Sequence, residues 1–188
     1  GLVYVAVSTA DGRIVKVNAT TGATAAETDL PGVFAVAALD DMVFAATPTG
    51  VTKLAMLDLA ADDTFAPLGI ASVEAILATA ADGLFVGING NEVRKLDLDN
   101  GSTLASVTPV EPVSALAVNT TDVFVGLADG TVAKFARADL DPDDVFTKPD
   151  FGDSVTTRLI ATDAALFALV PDTDSGSSRI VRMAVDGT

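Results

Sequence analysis

The sequence predicts an all-β fold made of repeated four-stranded sheets, and three observations lead to this prediction. An apolar run with an aromatic second residue returns five times, as VYVAV, VFAAT, LFVGI, VFVGL and LFALV, starting at residues 3, 43, 84, 123 and 166. A glycine-bearing turn and a short run with one basic residue follow each of these runs. No segment shows the periodicity of an amphipathic helix.

Each repeated pair of runs is predicted to form a β-hairpin. The turn reads ADG, PTG, NGN, ADG and, in the last copy, the longer PDTDSGSS. Glycine accepts the positive φ that a tight hairpin turn requires. The second strand of the five hairpins reads IVKV (14–17), VTKL (51–54), VRKL (93–96), VAKF (132–135) and IVRM (180–183).

Between the hairpins, the sequence predicts two further strands in each period. The outer strand is predicted at 23–30, 64–68, 103–107 and 144–148, and the inner strand, rich in small side chains, at 33–39, 73–79, 113–119 and 155–162. Four strands in a period of about 40 residues, with Pro, Gly and Asp at the joints, are typical of the blades of a β-propeller. The predicted fold is therefore a β-propeller of four-stranded blades.

The chain is predicted to be a single domain, 1–188, that holds about four and a half blades. With strands named a to d from the axis outward, strands b, c and d come first, three full blades follow, and a, b and c come last, eighteen in all. The blade segments are about 1–30, 31–70, 71–110, 111–150 and 151–188. Because open sheet edges promote aggregation, three arrangements remain open: part of a larger propeller of six to eight blades, completion by strands of another chain, or a five-bladed ring with frayed ends.

Two stretches resemble a known repeat family. DGRIVKVNATTGATAAETDL (11–30) and NEVRKLDLDNGSTLASV (91–107) are similar to the quinoprotein-type, PQQ-like and WD-like β-propeller repeat. The resemblance implies blades rather than an activity. The sequence has no Trp and no Cys, so it lacks the stacking Trp and the vicinal Cys pair that hold a quinone in that family. No cofactor is therefore predicted from the resemblance.

Composition excludes several classes of function. The net charge of −15 comes from 26 acidic and 11 basic residues, which disfavours binding to nucleic acid or to an anionic membrane. Cys and His are both absent, and with them disulfides, thiol nucleophiles and the usual zinc sites. An acidic, Lys-poor composition is typical of proteins from salt-loving microbes, where salt screens the self-repulsion. An ordinary acidic secreted domain is the alternative.

Five basic residues are predicted at one equivalent position of strand c, namely Lys16, Lys53, Lys95, Lys134 and Arg182. They suggest either an anion-binding belt or, as we prefer, long side chains that cover apolar surface while the charged head reaches solvent or a carboxylate. Four aspartates, Asp40, Asp82, Asp122 and Asp163, recur just before strand b, and we expect them to form turns.

Two acidic loops are candidate sites. Asp139, Asp141 and Asp143 have the spacing of alternate ligands in a calcium loop, so calcium is the one metal that the sequence suggests. Asp172, Asp174, Ser175 and Ser177 lie in the insertion of the last hairpin, and we expect this exposed loop to contact a partner.

The sequence predicts a non-enzymatic interaction or structural module, extracellular in a halophilic organism, on a cell surface or in an assembly such as a virus particle. Its expected partners are proteins or neighbouring copies of the same assembly, without nucleic acid or membrane insertion. Two alternatives remain: a carboxylate- or metal-dependent enzyme of the glycosidase or lactonase type, and a propeller that binds a small ligand in its channel.

Overall fold

The structure is a computed structural model that describes residues 2–7, 11–67, 69–70, 73–79, 82–88, 91–146, 149, 151, 158–171 and 176–186. These residues form sixteen strands and no helix, so no helix among them could span a membrane. The strands form five antiparallel sheets that follow one another along the chain. The predicted all-β class and the repetition of small antiparallel sheets are confirmed.

Four of the sheets have three strands, and sheet 3 has four. Sheet 1 contains β1 (Leu2–Val7), β2 (Arg13–Asn18) and β3 (Thr24–Asp29); sheet 2 contains β4 (Ala35–Leu39), β5 (Met42–Thr47) and β6 (Gly50–Ala55); sheet 3 contains β7 (Val73–Thr79), β8 (Gly83–Ile88), β9 (Glu92–Leu96) and β10 (Thr103–Val107); sheet 4 contains β11 (Val113–Val118), β12 (Asp122–Leu127) and β13 (Val132–Ala136); sheet 5 contains β14 (Arg158–Ala161), β15 (Leu166–Pro171) and β16 (Ser178–Met183).

The hydrophobic core lies between successive sheets. Four apolar clusters fill the spaces between sheets 1 and 2, 2 and 3, 3 and 4, and 4 and 5. Strands β5, β8 and β12 are apolar on both faces because each of their sheets is covered on both sides. The first strands of neighbouring sheets, β1, β4, β7, β11 and β14, contact each other in that order. Successive sheets are thus neighbours in sequence order and contact each other through their first strands.

Two of the predicted outer strands are wrong. Residues 64–67 and 144–146 lie in turns and irregular backbone, and an isolated bridge joins Leu54 to Ala61 and Phe135 to Pro142. The side chains of Asp62 and Asp143 accept the backbone N–H of Thr64 and Val145, at 3.0 and 3.1 Å. Such local bonds compete with a strand ladder. These two segments account for the difference between the eighteen predicted strands and the sixteen described; residues 68, 147 and 148 of the segments lie outside the description.

The sheets alternate between two kinds of turn after strand c. In sheets 1 and 3 the turn begins with Asn18 or Asp97, and a regular outer strand, β3 or β10, follows it. In sheets 2 and 4 it contains a buried leucine with positive φ, Leu59 at 61° and Leu140 at 64°. The repeating unit of the chain is therefore a pair of sheets.

Candidate functional site

The five repeated basic residues do occupy one register. Each is paired across strands with the aromatic residue of the neighbouring strand: Lys16 with Tyr4, Lys53 with Phe44, Lys95 with Phe85, Lys134 with Phe124 and Arg182 with Phe167. Residues directly opposite each other project from the same face of a sheet. The repeat therefore builds a row of cations, one on each sheet.

In sheets 1 and 3 the cation binds the sheet that follows. Lys16 Nζ donates to the carbonyl oxygens of Met56 and Leu57, at 2.8 and 3.1 Å. Lys95 Nζ donates to those of Arg137 and Ala138, at 3.1 and 2.9 Å. Each ammonium group thereby links two sheets through backbone acceptors of a turn.

In sheets 2 and 4 the cation binds a carboxylate of its own sheet. Lys53 Nζ lies 2.9 Å from Asp62 Oδ2, and Lys134 Nζ lies 3.0 Å from Asp143 Oδ2. Hydrogen bonds from Thr64 and Lys53 lower the pKa of Asp62 from 3.8 to about 2. A hydrogen bond from Lys134, with smaller effects from backbone N–H groups, lowers the pKa of Asp143. Both carboxylates are therefore fixed as anions at neutral pH.

These contacts correct part of the sequence interpretation. Lys16, Lys53 and Lys95 are buried, so of the two expected environments, solvent or a carboxylate, solvent is wrong for them and the carboxylate is confirmed for Lys53. Lys16 binds carbonyls rather than a carboxylate, and its acceptors lie 40 residues further along the chain. Arg182, in contrast, is exposed. The four lysines are occupied by internal acceptors, which leaves no free belt of ammonium groups in the described part of the chain.

Two of the four aspartates that recur before strand b join neighbouring sheets. Asp82 Oδ2 accepts from Arg137 Nε at 2.9 Å, which connects sheet 3 to sheet 4. Asp163 Oδ1 accepts from the backbone N–H and hydroxyl of Thr120, at 3.0 and 2.7 Å, which connects sheet 4 to sheet 5. These two bonds lower the pKa of Asp163. Sequence reasoning did not identify Arg137 or Thr120, since neither belongs to the repeated run.

The calcium candidate residues do not converge. Asp139 Oδ1 accepts the backbone N–H of Asp141 at 3.2 Å, whereas Asp143 is engaged by Lys134. Among the residues that the structure describes, no group of three acidic side chains is placed to hold a metal ion. Calcium binding at these aspartates stays a prediction.

The predicted interaction loop falls largely beyond the described residues. Asp172, Asp174 and Ser175 lie outside them, and Ser177 is an exposed residue directly before β16. Partner binding by this loop also stays a prediction.

Among several clefts of about 430 to 540 Å³ in the described part of the chain, two bear on the candidate functions. A cleft of about 490 Å³ runs between the first strands of sheets 2 to 5 and is lined by Ala35, Ile76, Ser114, Leu116, Arg158 and Leu159 among others. None of its described lining residues carries a carboxylate. A groove of about 530 Å³ between sheets 3 and 4 is acidic, with Glu111, Asp129, Asp143 and Asp144 in its wall.

Comparison with known proteins shows the fold alone. No protein-family model matches the chain, and no curated protein matches it. Solved structures do match, among them the crystal structure of the computationally designed Ika4 protein. That match covers 81% of this chain and 91% of the Ika4 chain, with a TM-score of 0.65 and 19% sequence identity. The arrangement of small antiparallel sheets is therefore one that a known structure shares.

Proposed function

We propose that the chain is a β-propeller, or a part of one, that serves as a protein-interaction or structural module and not as an enzyme. The propeller arrangement is supported by the order of the sheets: their first strands contact one another in sequence, and an apolar cluster fills each space between neighbours. The PQQ-like and WD-like repeat resemblance of residues 11–30 and 91–107 agrees with this proposal.

One observation carries the functional proposal. Several of the charged residues that recur from sheet to sheet hold neighbouring sheets together. Lys16 and Lys95 bind turns of the next sheet, and Asp82 binds Arg137 of the next sheet. A catalytic group needs a pKa matched to proton transfer near the working pH, whereas the pKa of Asp143 is lowered by a fixed lysine. The repeated charges thus support a scaffold.

The proposed setting follows from charge. A net charge of −15 repels polyanions, and concentrated salt screens the self-repulsion that this charge causes. We therefore place it outside the cell of a halophilic organism, on the cell surface or in an assembly such as a virus particle. Protein surfaces or neighbouring copies are its proposed partners.

The acidic groove between sheets 3 and 4 favours one alternative, a carboxylate-dependent hydrolase. Glu111, Asp129 and Asp144 line this groove beside Asp143. A glycosidase needs two carboxyl groups at opposite sides of the bond that is cleaved, one of them protonated. Asp143 does not meet the second requirement, because its pKa is lowered.

The two possibilities are separated by an activity measurement. The chain is assayed in 2 M KCl against panels of glycosides and lactones, with and without 5 mM CaCl₂, beside an Asp143→Asn variant. The scaffold proposal predicts no turnover above the buffer. Turnover by the wild type that the Asp143→Asn variant loses would overturn it in favour of the enzyme. A crystal structure from molar salt tests the propeller arrangement itself.

A further inference from the structure

One face of sheet 5 is uncovered where the same face of sheets 2, 3 and 4 is buried. Phe44, Phe85 and Phe124, at the same register in sheets 2, 3 and 4, are 0% exposed, and each packs against the sheet that follows. Phe167 holds this register in sheet 5 and is half-buried. Its neighbours on that face, Ile160 and Ile180, are 65% and 75% exposed. We call this surface the tail face.

Sheet 1 has the complementary uncovered face. In sheets 2 to 5 the residue after the repeated cation packs against the preceding sheet and is buried, as in Leu54, Leu96, Phe135 and Met183. The equivalent residue of sheet 1 is Val17, which is half-buried, as is Val15 on the same face. We call this surface the head face. In every other sheet of the described chain, the residue equivalent to Val17 packs against the preceding sheet.

The charges of the two faces are opposite. The tail face carries Arg158 and Arg182, both exposed. The head face carries Glu27, Asp29 and Arg13, and Arg13 Nη1 lies 3.5 Å from Glu27 Oε2. The tail face therefore presents an apolar centre with two positive charges beside it, and the head face presents an apolar centre beside two acidic residues and one basic residue.

We infer that the tail face of one copy of this chain binds the head face of a second copy. The inference deepens the proposed function, on which it rests, by naming the partner and the two surfaces. Phe44, Phe85 and Phe124, the equivalents of Phe167, are each covered by the following sheet, which contributes Leu96, Phe135 or Met183. The head face carries Val17 at the position of these covering residues, so a second copy of the chain is the partner that fits the tail face. Such an interface is heterologous, so copies add head to tail and either close into a ring or extend.

The test uses two variants that each block one face. Ile180→Asp places a charge in the centre of the tail face, and Val17→Asp does so in the head face. Because burying an unpaired charge is costly, each variant is expected to self-associate at least about 100-fold more weakly than the wild type. Light scattering after size exclusion in 2 M KCl gives the mass over a range of concentrations. Val145 is 90% exposed and lies on neither face, so Val145→Asp is the matched control.

Mixing the variants distinguishes head-to-tail binding from other association. Ile180→Asp keeps an intact head and Val17→Asp keeps an intact tail. Each alone is expected at the mass of one 19.0 kDa chain, and the equimolar mixture at twice that mass. Wild type and the Val145→Asp control are expected to exceed one chain mass. Glu27→Arg, at an exposed head-face residue, provides a second blocked head that leaves the core intact.

Two results would overturn the inference. One is a wild-type chain that stays at a single-chain mass at millimolar concentration in 2 M KCl. The other is a mixture of the two blocked variants that stays monomeric while the wild type associates. Neither result bears on the activity panel, so a failure of this inference is distinguishable from a failure of the proposed function.

Discussion

At the scale of single residues, the buried lysines explain how one repeated cation serves two purposes. A lysine stem packs along apolar surface, and its ammonium group then needs acceptors that stay in place. Lys16 and Lys95 find carbonyls of the next sheet, whereas Lys53 and Lys134 find an aspartate held by an Asx turn. The type of acceptor depends on the turn after strand c. The turns of sheets 2 and 4 supply both the carbonyls that the lysine of the preceding sheet binds and the aspartate that the lysine of their own sheet binds.

Replacing Lys95 with methionine tests the link between sheets 3 and 4. The substitution keeps the apolar stem and leaves the carbonyls of Arg137 and Ala138 without a donor. A hydrogen bond to a charged group contributes about 1.5–3 kcal/mol, so we expect a loss of about that size in the free energy of unfolding by urea. Arg182→Met, at the same register but exposed, is the control and should change it by less than about 0.5 kcal/mol at a concentration below the onset of association. Equal losses in both variants would contradict the linking role.

The Asp62 carboxylate makes stability depend on pH in a defined window. Its pKa is lowered from 3.8 to about 2 in the folded chain. A lowered pKa stabilises the fold above the unfolded value, and this contribution disappears as the pH falls through the folded value. We expect Asp62→Asn to be less stable than the wild type at pH 6, with a difference that shrinks between about pH 4 and pH 2. Denaturant unfolding at each pH measures it. Asp63→Asn, which removes one carboxylate at an exposed neighbouring residue, is the control.

At the scale of elements, the hairpins follow from the sequence and the outer strands follow only in part. The aromatic run, the glycine turn and the basic run fix strands b and c, and each predicted hairpin is present. Outer strands β3 and β10 are also present, where the turn begins with Asn18 or Asp97. In sheet 4 the sequence suggests Asp143 as a calcium ligand, and it suggests no role for the equivalent Asp62 of sheet 2. Their actual role in turning the backbone depends on a lysine of the preceding strand, which a strand pattern does not reveal.

Two equivalent glycines allow the contact between sheets 2 and 3 to be measured. Gly22 and Gly101 close the same turn in sheets 1 and 3, with φ of 71° and 76°. A Cβ on Gly22 would meet no atom within 4 Å, whereas one on Gly101 would lie 2.8 Å from Pro67 N. Gly22→Ala should cost about 1–2 kcal/mol for the left-handed backbone, and Gly101→Ala about 1–3 kcal/mol more for the clash. Thermal unfolding of both variants gives the difference, and equal costs would contradict the close approach.

At the scale of the whole molecule, the sequence predicted the period and the all-β class because both depend on local patterns. The contacts that order the sheets were beyond it. Arg137 reaches Asp82 over 55 residues, and Thr120 reaches Asp163 over 43, and neither pair belongs to a repeated run. The uncovered faces of sheets 1 and 5 likewise became visible from exposure, since Phe167 and Val17 look like their buried equivalents in the sequence.

The net charge of −15 leads to a last prediction, that salt stabilises the fold. Screening lengths fall from about 10 Å at 0.1 M to about 3 Å at 1 M salt, so repulsion among exposed carboxylates weakens. The ion pair of Lys53 and Asp62 is less affected, because Lys53 is 11% exposed and partly buried pairs are screened less. We therefore expect the melting temperature of the monomeric Ile180→Asp variant to rise steadily from 0.1 to 2 M KCl.

A variant with fewer exposed carboxylates is the control for this salt effect. Asp11, Asp41, Asp63 and Asp144 are exposed, and changing all four to asparagine removes four negative charges. In the Ile180→Asp background, the salt dependence of the melting temperature should become shallower, with most of the gain at low salt, where repulsion is strongest. An unchanged slope would show that salt acts through apolar burial rather than through screening of the acidic surface. The comparison therefore tests whether the acidity of this chain is an adaptation to a salt-rich solvent.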